Sequence, residues 1–204
     1  MRAKSSKALM GAVSLLDLTI SAALTALSFV LFLFKFPYPP APFLKFDAMG
    51  IPLAVLALYS LRALLSVTPI IYIGLQLLGA DFIGAGMKVA AELSTLIPIV
   101  FGYRRFCSRE KCTKSYPLII AFGVLGRVTV MSILNYLIAP HWMVMAYGWT
   151  FERAYRTTIA ILPHIAVFNL IAASYVGALA LEVFRVVSKA LGGVEKRWTV
   201  PPQR

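Results

Sequence analysis

Long apolar runs separated by short polar segments constrain this chain more than any other feature. Hydrophobic residues make up 60% of the 204 residues and charged residues 14%, against about 25% charged in soluble domains. About 20 apolar residues are needed for a helix to cross a bilayer. We therefore predict an all-α integral membrane protein, a compact single domain (1–204) of six transmembrane helices. The predicted apolar helical segments are Ala8–Phe34, Ile51–Leu61, Pro69–Leu78, Ile83–Tyr103, Tyr116–Ala139 and Thr157–Ser188, with approximate ends.

Basic residues concentrate at the ends of these runs. They form an N-terminal tail (1–7), a loop (104–115) and a segment that ends in a basic C-terminal tail (192–204). A formal net charge of +12 could suggest nucleic acid as a partner, but basic clusters beside apolar helices mark the cytoplasmic side of a membrane. We predict a multi-pass cell-membrane protein with both termini cytoplasmic, in contact with lipid and not with nucleic acid.

The segment Lys35–Pro52 is unusual because five of its eighteen residues are proline. Proline excludes a regular helix or a central strand, yet the segment also carries Phe43, Leu44 and Phe46, which favour burial. Lys45 and Asp47 lie among these apolar groups. An outer lid over a ligand cavity and a rigid connector anchored at the lipid interface both fit this pattern.

Two predicted helices carry polar groups at membrane depth. Lys88 and Glu92 are four residues apart on one helix face, which fits either a structural ion pair or a ligand-binding role. Arg127, Met131 and Asn135 also follow a four-residue spacing. The amide of Asn135 offers donors and an acceptor that could read the edge of a planar heterocycle.

Cys107 and Cys112 both fall in the basic loop. Their C-x4-C spacing is poor for zinc, and a cytoplasmic position predicts free thiols. His164 is more typical of a packed residue than of a metal ligand. No metal or cofactor site is predicted.

Enzyme motifs are absent from the sequence. It contains neither H-E-x-x-H nor a nucleophile elbow, and no carboxylates pair at catalytic spacing. It also lacks a Walker motif, so transport would need a separate nucleotide-binding partner. We predict that the chain is not an enzyme. A membrane enzyme or assembly factor of a lipid or cofactor pathway is the alternative that its membrane-depth charges leave open.

Five short motifs resemble the substrate-binding S component of energy-coupling factor (ECF) vitamin transporters, most closely the riboflavin-specific type. The motifs are Ala22-x-x-x-Ala26, Pro42-Phe43-Leu44-Lys45-Phe46-Asp47 with Ile51-Pro52, Asp81-Phe82-Ile83-Gly84 with Met87, Arg127-x-x-x-Met131-x-x-x-Asn135-Tyr136, and Phe168-Asn169. The resemblance covers most of the chain between Ala22 and Ala180. It is fairly specific in the first loop and the fifth helix, and weak at the alanine motif.

The resemblance implies a high-affinity binding subunit that takes up riboflavin, or another vitamin or heterocyclic precursor, from outside the cell. It also implies a transmembrane coupling subunit, which would dock on Ala22 and Ala26, and a pair of ATP-binding subunits. The implied substrate-binding residues are Phe43, Leu44, Lys45, Phe46, Asp47, Asp81, Met87, Lys88, Asn135 and Asn169. The chain departs from the family pattern at Phe46 (tyrosine), Gly50 (an acid) and Ala172 (lysine or glutamine). Lys88 is a candidate to supply a polar contact that these changes remove.

Overall fold

The computed structural model describes residues 15–107 and 112–190. Six α-helices and one β-hairpin form within these ranges. Their bounds are α1 Leu15–Phe32, β1 Phe36–Tyr38, β2 Ala41–Phe46, α2 Gly50–Tyr59, α3 Leu61–Leu77, α4 Phe82–Phe106, α5 Tyr116–Tyr147 and α6 Phe151–Ala190, with a short 3-10 helix at Cys112–Ser115. The predicted number of helices is therefore found, and the hairpin is an addition to it.

Helix α2 lies at the centre of the bundle. It packs against α1, α3, α4 and α6, while α5 lies against α4 and α6. Its residues from Gly50 to Leu58 are buried except for Ile51, which explains why this segment is apolar on every side. At the far end of α2, the Tyr59 hydroxyl donates a hydrogen bond to Asp17 on α1. Asp17 thus ties two helices together.

Among the described residues, four helices are long and apolar enough to cross a membrane: α1, α4, α5 (with the short 3-10 helix before it) and α6. Helices α2 and α3 have 10 and 17 residues, so they are about 15 Å and 25 Å long, against about 30 Å for a hydrocarbon core. The architecture is that of an all-α membrane protein, whereas six complete crossings and the orientation of the termini stay predictions. Both basic tails and residues 108–111 lie outside the described ranges.

The break between α2 and α3 differs from the prediction. The sequence suggested an interruption around Ser66–Pro69, but the chain turns at Ser60 and Pro69 lies inside α3. Ser60 has extended backbone angles, and its hydroxyl accepts a hydrogen bond from the Ala63 amide at 3.2 Å. The serine N-cap therefore starts α3 before Pro69, the residue at which the sequence placed the start of this helix.

The proline-rich segment is more regular than expected. Strands β1 and β2 pair antiparallel, with Phe36 opposite Phe46 and an irregularity between Pro37 and Tyr38. A two-stranded ribbon contains only edge strands, so prolines are tolerated where a central strand would exclude them. Pro39 and Pro40 form the exposed turn.

The predicted loop between the last two helices was wrong. Helix α5 continues through Pro140 to Tyr147, and α6 starts at Phe151 rather than near Thr157. Gly148 ends α5 in a left-handed conformation with φ of +63°. A proline inside a membrane helix removes one hydrogen bond without ending the helix, because neighbouring groups satisfy the freed carbonyl.

The prediction of free thiols at Cys107 and Cys112 was also wrong. The two cysteines form a disulfide between the end of α4 and the start of the 3-10 helix. The Cα atoms of the two cysteines are 4.3 Å apart, within reach of a covalent bridge. The C-x4-C spacing argued only against a zinc site, and it gave no information on how close the two cysteines lie in the fold.

Candidate functional site

A cavity of about 390 Å³ lies beneath the hairpin, between α3, α4, α5 and α6. Its volume falls in the range of pockets that hold small organic molecules. All the predicted substrate-binding residues except Phe46 line it. These are Phe43, Leu44, Lys45, Asp47, Asp81, Met87, Lys88, Asn135 and Asn169.

Phe46 lies one layer behind the cavity wall. Its ring stacks on Phe168 of α6 with centroids 4.5 Å apart, and it contacts Tyr38 and Tyr175 edge-on. Tyr38 also lies near the ring of His164, with centroids 6.5 Å apart, and His164 itself is exposed. The placement of Phe46 over the ligand is therefore not found. Phe46 fixes the hairpin on α6, and Phe168 presents its ring to the cavity.

A cluster of four charged side chains lies beside the cavity. The Lys88 ammonium is 2.9 Å from Asp47 Oδ2 and 2.7 Å from Glu92 Oε1. The Arg127 guanidinium is 3.7 Å from the same Glu92 oxygen. Two acids and two bases thus balance one another in a buried site, which reduces the desolvation cost of each charge. The ion pair predicted between Lys88 and Glu92 is found, and both cations also line the cavity.

Asp47 fixes the end of the hairpin to the bundle. Its Oδ1 accepts hydrogen bonds from the Lys88 ammonium and from the Met49 amide, both at 3.0 Å. Its backbone carbonyl accepts a hydrogen bond from the Tyr175 hydroxyl of α6. The hairpin is therefore held at its C-terminal end by α4 and α6, while its turn is exposed.

The two asparagines have different surroundings. Asn169 Oδ1 accepts a hydrogen bond from Arg127 Nε at 2.9 Å, and its Nδ2 donates to the Ile165 carbonyl at 2.8 Å. Asn135 Nδ2 donates to the Met131 carbonyl at 2.8 Å. Within the described part of the chain, Asn135 Oδ1 accepts no hydrogen bond, although only 8% of the residue is exposed. Asn135 therefore lines the cavity with an acceptor that the described residues leave unused, whereas Asn169 holds Arg127.

The mouth of the cavity carries three further charged residues. The Lys35 ammonium lies over the Phe32 ring at 3.6 Å. Partial burial lowers the pKa of Lys35, and the positive charge of Lys45 lowers it further. Asp81 accepts a hydrogen bond from the Gly84 amide at 2.9 Å and so caps α4. Its predicted ligand role is thus combined with a structural one.

Sequence reasoning missed several apolar wall residues on α5. Ile138, Ala139, Trp142 and Met143 continue the face that carries Met131 and Asn135. The signal was present as the helical spacing of 131, 135, 138 and 142. The expectation that the helix ends near Ala139 hid it.

Helix α1 turns its two predicted docking residues outward. Ala22 and Ala26 are exposed, whereas Ser21, Thr25 and Ser28 on another side of the helix are buried. The buried hydroxyls donate to carbonyls one turn earlier in α1, so no polar group is left unsatisfied there. The face with the two alanines is therefore available for another protein or for lipid.

No known family model matches the sequence, and no curated protein matches it. Among solved structures, the chain is similar to one described as the S component of a bacterial ECF transporter. The TM-score is 0.66 and the sequence identity 23%, over 86% of this chain and 97% of that chain. At this identity the likeness establishes a shared fold.

Proposed function

We propose that the chain is the substrate-binding membrane subunit of an ECF-type importer and that its ligand is riboflavin or a close flavin relative. The observation that carries the proposal is the cavity beneath the hairpin, since it gathers almost all the residues that the sequence singled out for binding. The shared fold supports the same class. In this role the chain binds and releases its ligand without catalysing a reaction.

The cavity wall suits a flat heterocycle with one apolar and one polar edge. Met87, Met131, Trp142 and Phe168 supply apolar surface. Asn135 Oδ1 can accept a hydrogen bond from a ring N–H, and leaving such a group unsatisfied would cost about 1–3 kcal/mol. The lysines at the mouth can donate to the hydroxyls of a flexible tail.

A passive binding subunit needs partners that couple it to ATP hydrolysis. We propose that a transmembrane coupling subunit docks on the α1 face with Ala22 and Ala26 and joins the chain to two ATP-binding subunits. Small side chains allow another helix to approach closely, which supports this face as the contact. The cell membrane is the location that this role requires.

The proposal is tested by purifying the protein in detergent and recording its absorption spectrum, in which bound flavin appears as a yellow chromophore. We expect Asn135→Leu to fold normally and to bind riboflavin at least about tenfold more weakly, about 1.4 kcal/mol. Gln76→Leu is the matched control, because Gln76 also donates to the carbonyl one turn earlier but does not line the cavity. Equal riboflavin affinity of Asn135→Leu and wild type would contradict the assigned role of Asn135.

Asn169→Leu has a different expected signature. It removes the acceptor for Arg127 Nε, so we expect both a lower melting temperature and weaker binding. A loss of binding without a loss of stability would instead point to direct contact between Asn169 and the ligand.

A different heterocyclic vitamin or precursor is the second candidate. Ala172 favours it, because this residue is 2% exposed and brings no polar group where the riboflavin-type pattern has lysine or glutamine. The same purification separates the candidates. A folded wild-type protein that binds no flavin would favour the second.

A further inference from the structure

The position of Glu92 is explained by Gly50, the first residue of α2. A β-carbon on residue 50 would overlap Glu92 Oε2 and lie 3.2 Å from Glu92 Cδ. It would also lie 3.1 Å from a methyl group of Val176. The Glu92 carboxylate therefore occupies space that exists because residue 50 is a glycine. Positions 50 and 92 are coupled, although they are far apart in sequence.

Glu92 supplies half of the negative charge of the buried cluster. Without it, the cluster of four would keep one acid, Asp47, against Lys88 and Arg127, and would carry a net positive charge. Glu92 Oε2 has no hydrogen-bond partner in the described part of the chain. Such a buried carboxylate is costly and is retained where its charge is needed.

The effect of Glu92 reaches the cavity through Lys88. Glu92 is 3% exposed and is not part of the cavity wall. Its Oε1 lies 2.7 Å from the Lys88 ammonium, which in turn holds Asp47 at the end of the hairpin. Glu92, Lys88 and Asp47 thus connect the interior of the bundle with the structure that covers the cavity.

We propose that Glu92 is a positioning residue of the ligand site, and that the missing side chain of Gly50 makes room for its carboxylate. Glu92 holds Lys88 in the orientation that fixes Asp47 and the hairpin over the cavity. The inference rests on the proposed function, because its readout is ligand binding. Glu92 would thus support ligand binding through its carboxylate, although Glu92 itself does not line the cavity.

The test moves the carboxylate between the two positions. Glu92→Ala removes it, and Gly50→Asp in the Glu92→Ala background places a carboxylate in the vacated space. Residue 50 is in the first turn of α2 and has no positive φ, so its backbone accepts an aspartate, whose charge interacts favourably with the helix dipole, once the Val176 methyl group shifts by a few tenths of an ångström. We expect riboflavin affinity to fall at least tenfold in Glu92→Ala and to recover at least half of the loss, on a logarithmic scale, in the double variant.

A matched control separates charge from space. Gly50→Asn in the Glu92→Ala background fills the same volume without charge, and we expect it not to restore binding. Glu92→Gln keeps the size of the side chain, so it provides a variant with the smallest risk to folding. Melting temperature is measured for every variant, and affinity is compared among folded proteins only.

Each result has a defined meaning. Recovery with aspartate and not with asparagine supports the proposal. Unchanged affinity in folded Glu92→Gln overturns it, and so does equal recovery with asparagine. If wild type binds riboflavin, these outcomes concern Glu92 alone. If folded wild type does not bind riboflavin, the proposed flavin ligand fails instead. The role of Glu92 is then tested by melting temperature. Gly50→Asp must restore the stability of Glu92→Ala, and Gly50→Asn must not.

Discussion

Asp47→Asn is predicted to weaken riboflavin binding because it loosens the end of the hairpin. The asparagine keeps an oxygen that can accept from the Met49 amide, but it loses the charge that holds Lys88 at 2.9 Å. A hydrogen bond to a charged group contributes about 1.5–3 kcal/mol. Removing one member of a fully buried ion pair costs about 3–5 kcal/mol. Lys88 keeps Glu92 and its side chain is 20% exposed, so the lower range applies.

A loss of about 1.5–3 kcal/mol corresponds to roughly 10- to 150-fold in the dissociation constant if the hairpin closes over the ligand. The assay is quenching of riboflavin fluorescence by purified protein. Asp47→Asn, Lys88→Met and the double variant form a cycle that separates the pair from other effects of each change. We expect a coupling energy of about 1–3 kcal/mol between the two residues.

The control is Glu152→Gln, which breaks the exposed pair between Glu152 and Arg156 on α6. Exposed pairs contribute about 0–1 kcal/mol, so binding is expected to stay close to wild type. The reasoning would be refuted if folded Asp47→Asn bound riboflavin as tightly as wild type. It would also fail if the effects of the two single changes were simply additive.

Three further predictions concern topology, docking and packing. In a cysteine-free background, Pro40→Cys at the hairpin turn should react with a membrane-impermeant thiol reagent in intact cells. Reaction only after lysis would place the hairpin on the cytoplasmic side of the membrane. Ala22→Trp should abolish uptake while riboflavin binding persists. Leu27→Trp, on another exposed side of α1, is the control and should leave both uptake and binding intact. Loss of both in Ala22→Trp would mean that Ala22 packs inside the chain and is not a docking residue. Gly126→Ala should lower the melting temperature, because its β-carbon would lie 2.5 Å from a backbone oxygen of α4 and overpacking costs about 1–3 kcal/mol. In Gly86→Ala the new β-carbon would make an ordinary contact with the Tyr72 ring at 3.9 Å, so the change should be neutral or stabilising. Equal effects of both changes would argue against tight contact of α4 and α5.

Features that depend on local spacing could be predicted from the sequence. The Lys88–Glu92 pair follows from two residues one helical turn apart, and the Met131–Asn135 face follows from the same periodicity. The composition of the apolar runs predicted a helical membrane protein. Nine of the ten predicted substrate-binding residues line the cavity, and most of these nine were identified through short motifs that resemble a known family.

Features that depend on long-range packing could not be predicted. Asp47 meets Lys88 and Gly50 meets Glu92 only after the hairpin and α2 pack on α4. Phe46 was expected over the ligand, but it stacks on Phe168, is half-buried and does not line the cavity. Tertiary contacts decide these placements, and neither hydropathy nor motif spacing contains them.

Predictions from single residue types also failed at two places. Proline usually ends a helix, yet Pro140 lies within α5 because the helix is supported by neighbours in an apolar setting. Cys107 and Cys112 were expected to be free because of their predicted compartment. Their disulfide depends instead on the closeness of the two residues in the fold, where their Cα atoms are 4.3 Å apart.

The most direct test of the central claim is a stoichiometric titration of riboflavin with purified protein, followed by fluorescence. The wild-type chain is predicted to bind one flavin, and Met131→Trp, which fills the cavity from its wall, is predicted to bind none while keeping its fold. Saturable binding of one flavin that is lost in Met131→Trp would support a site in this cavity. The absence of flavin binding by wild type, or unchanged binding by the folded tryptophan variant, would contradict it.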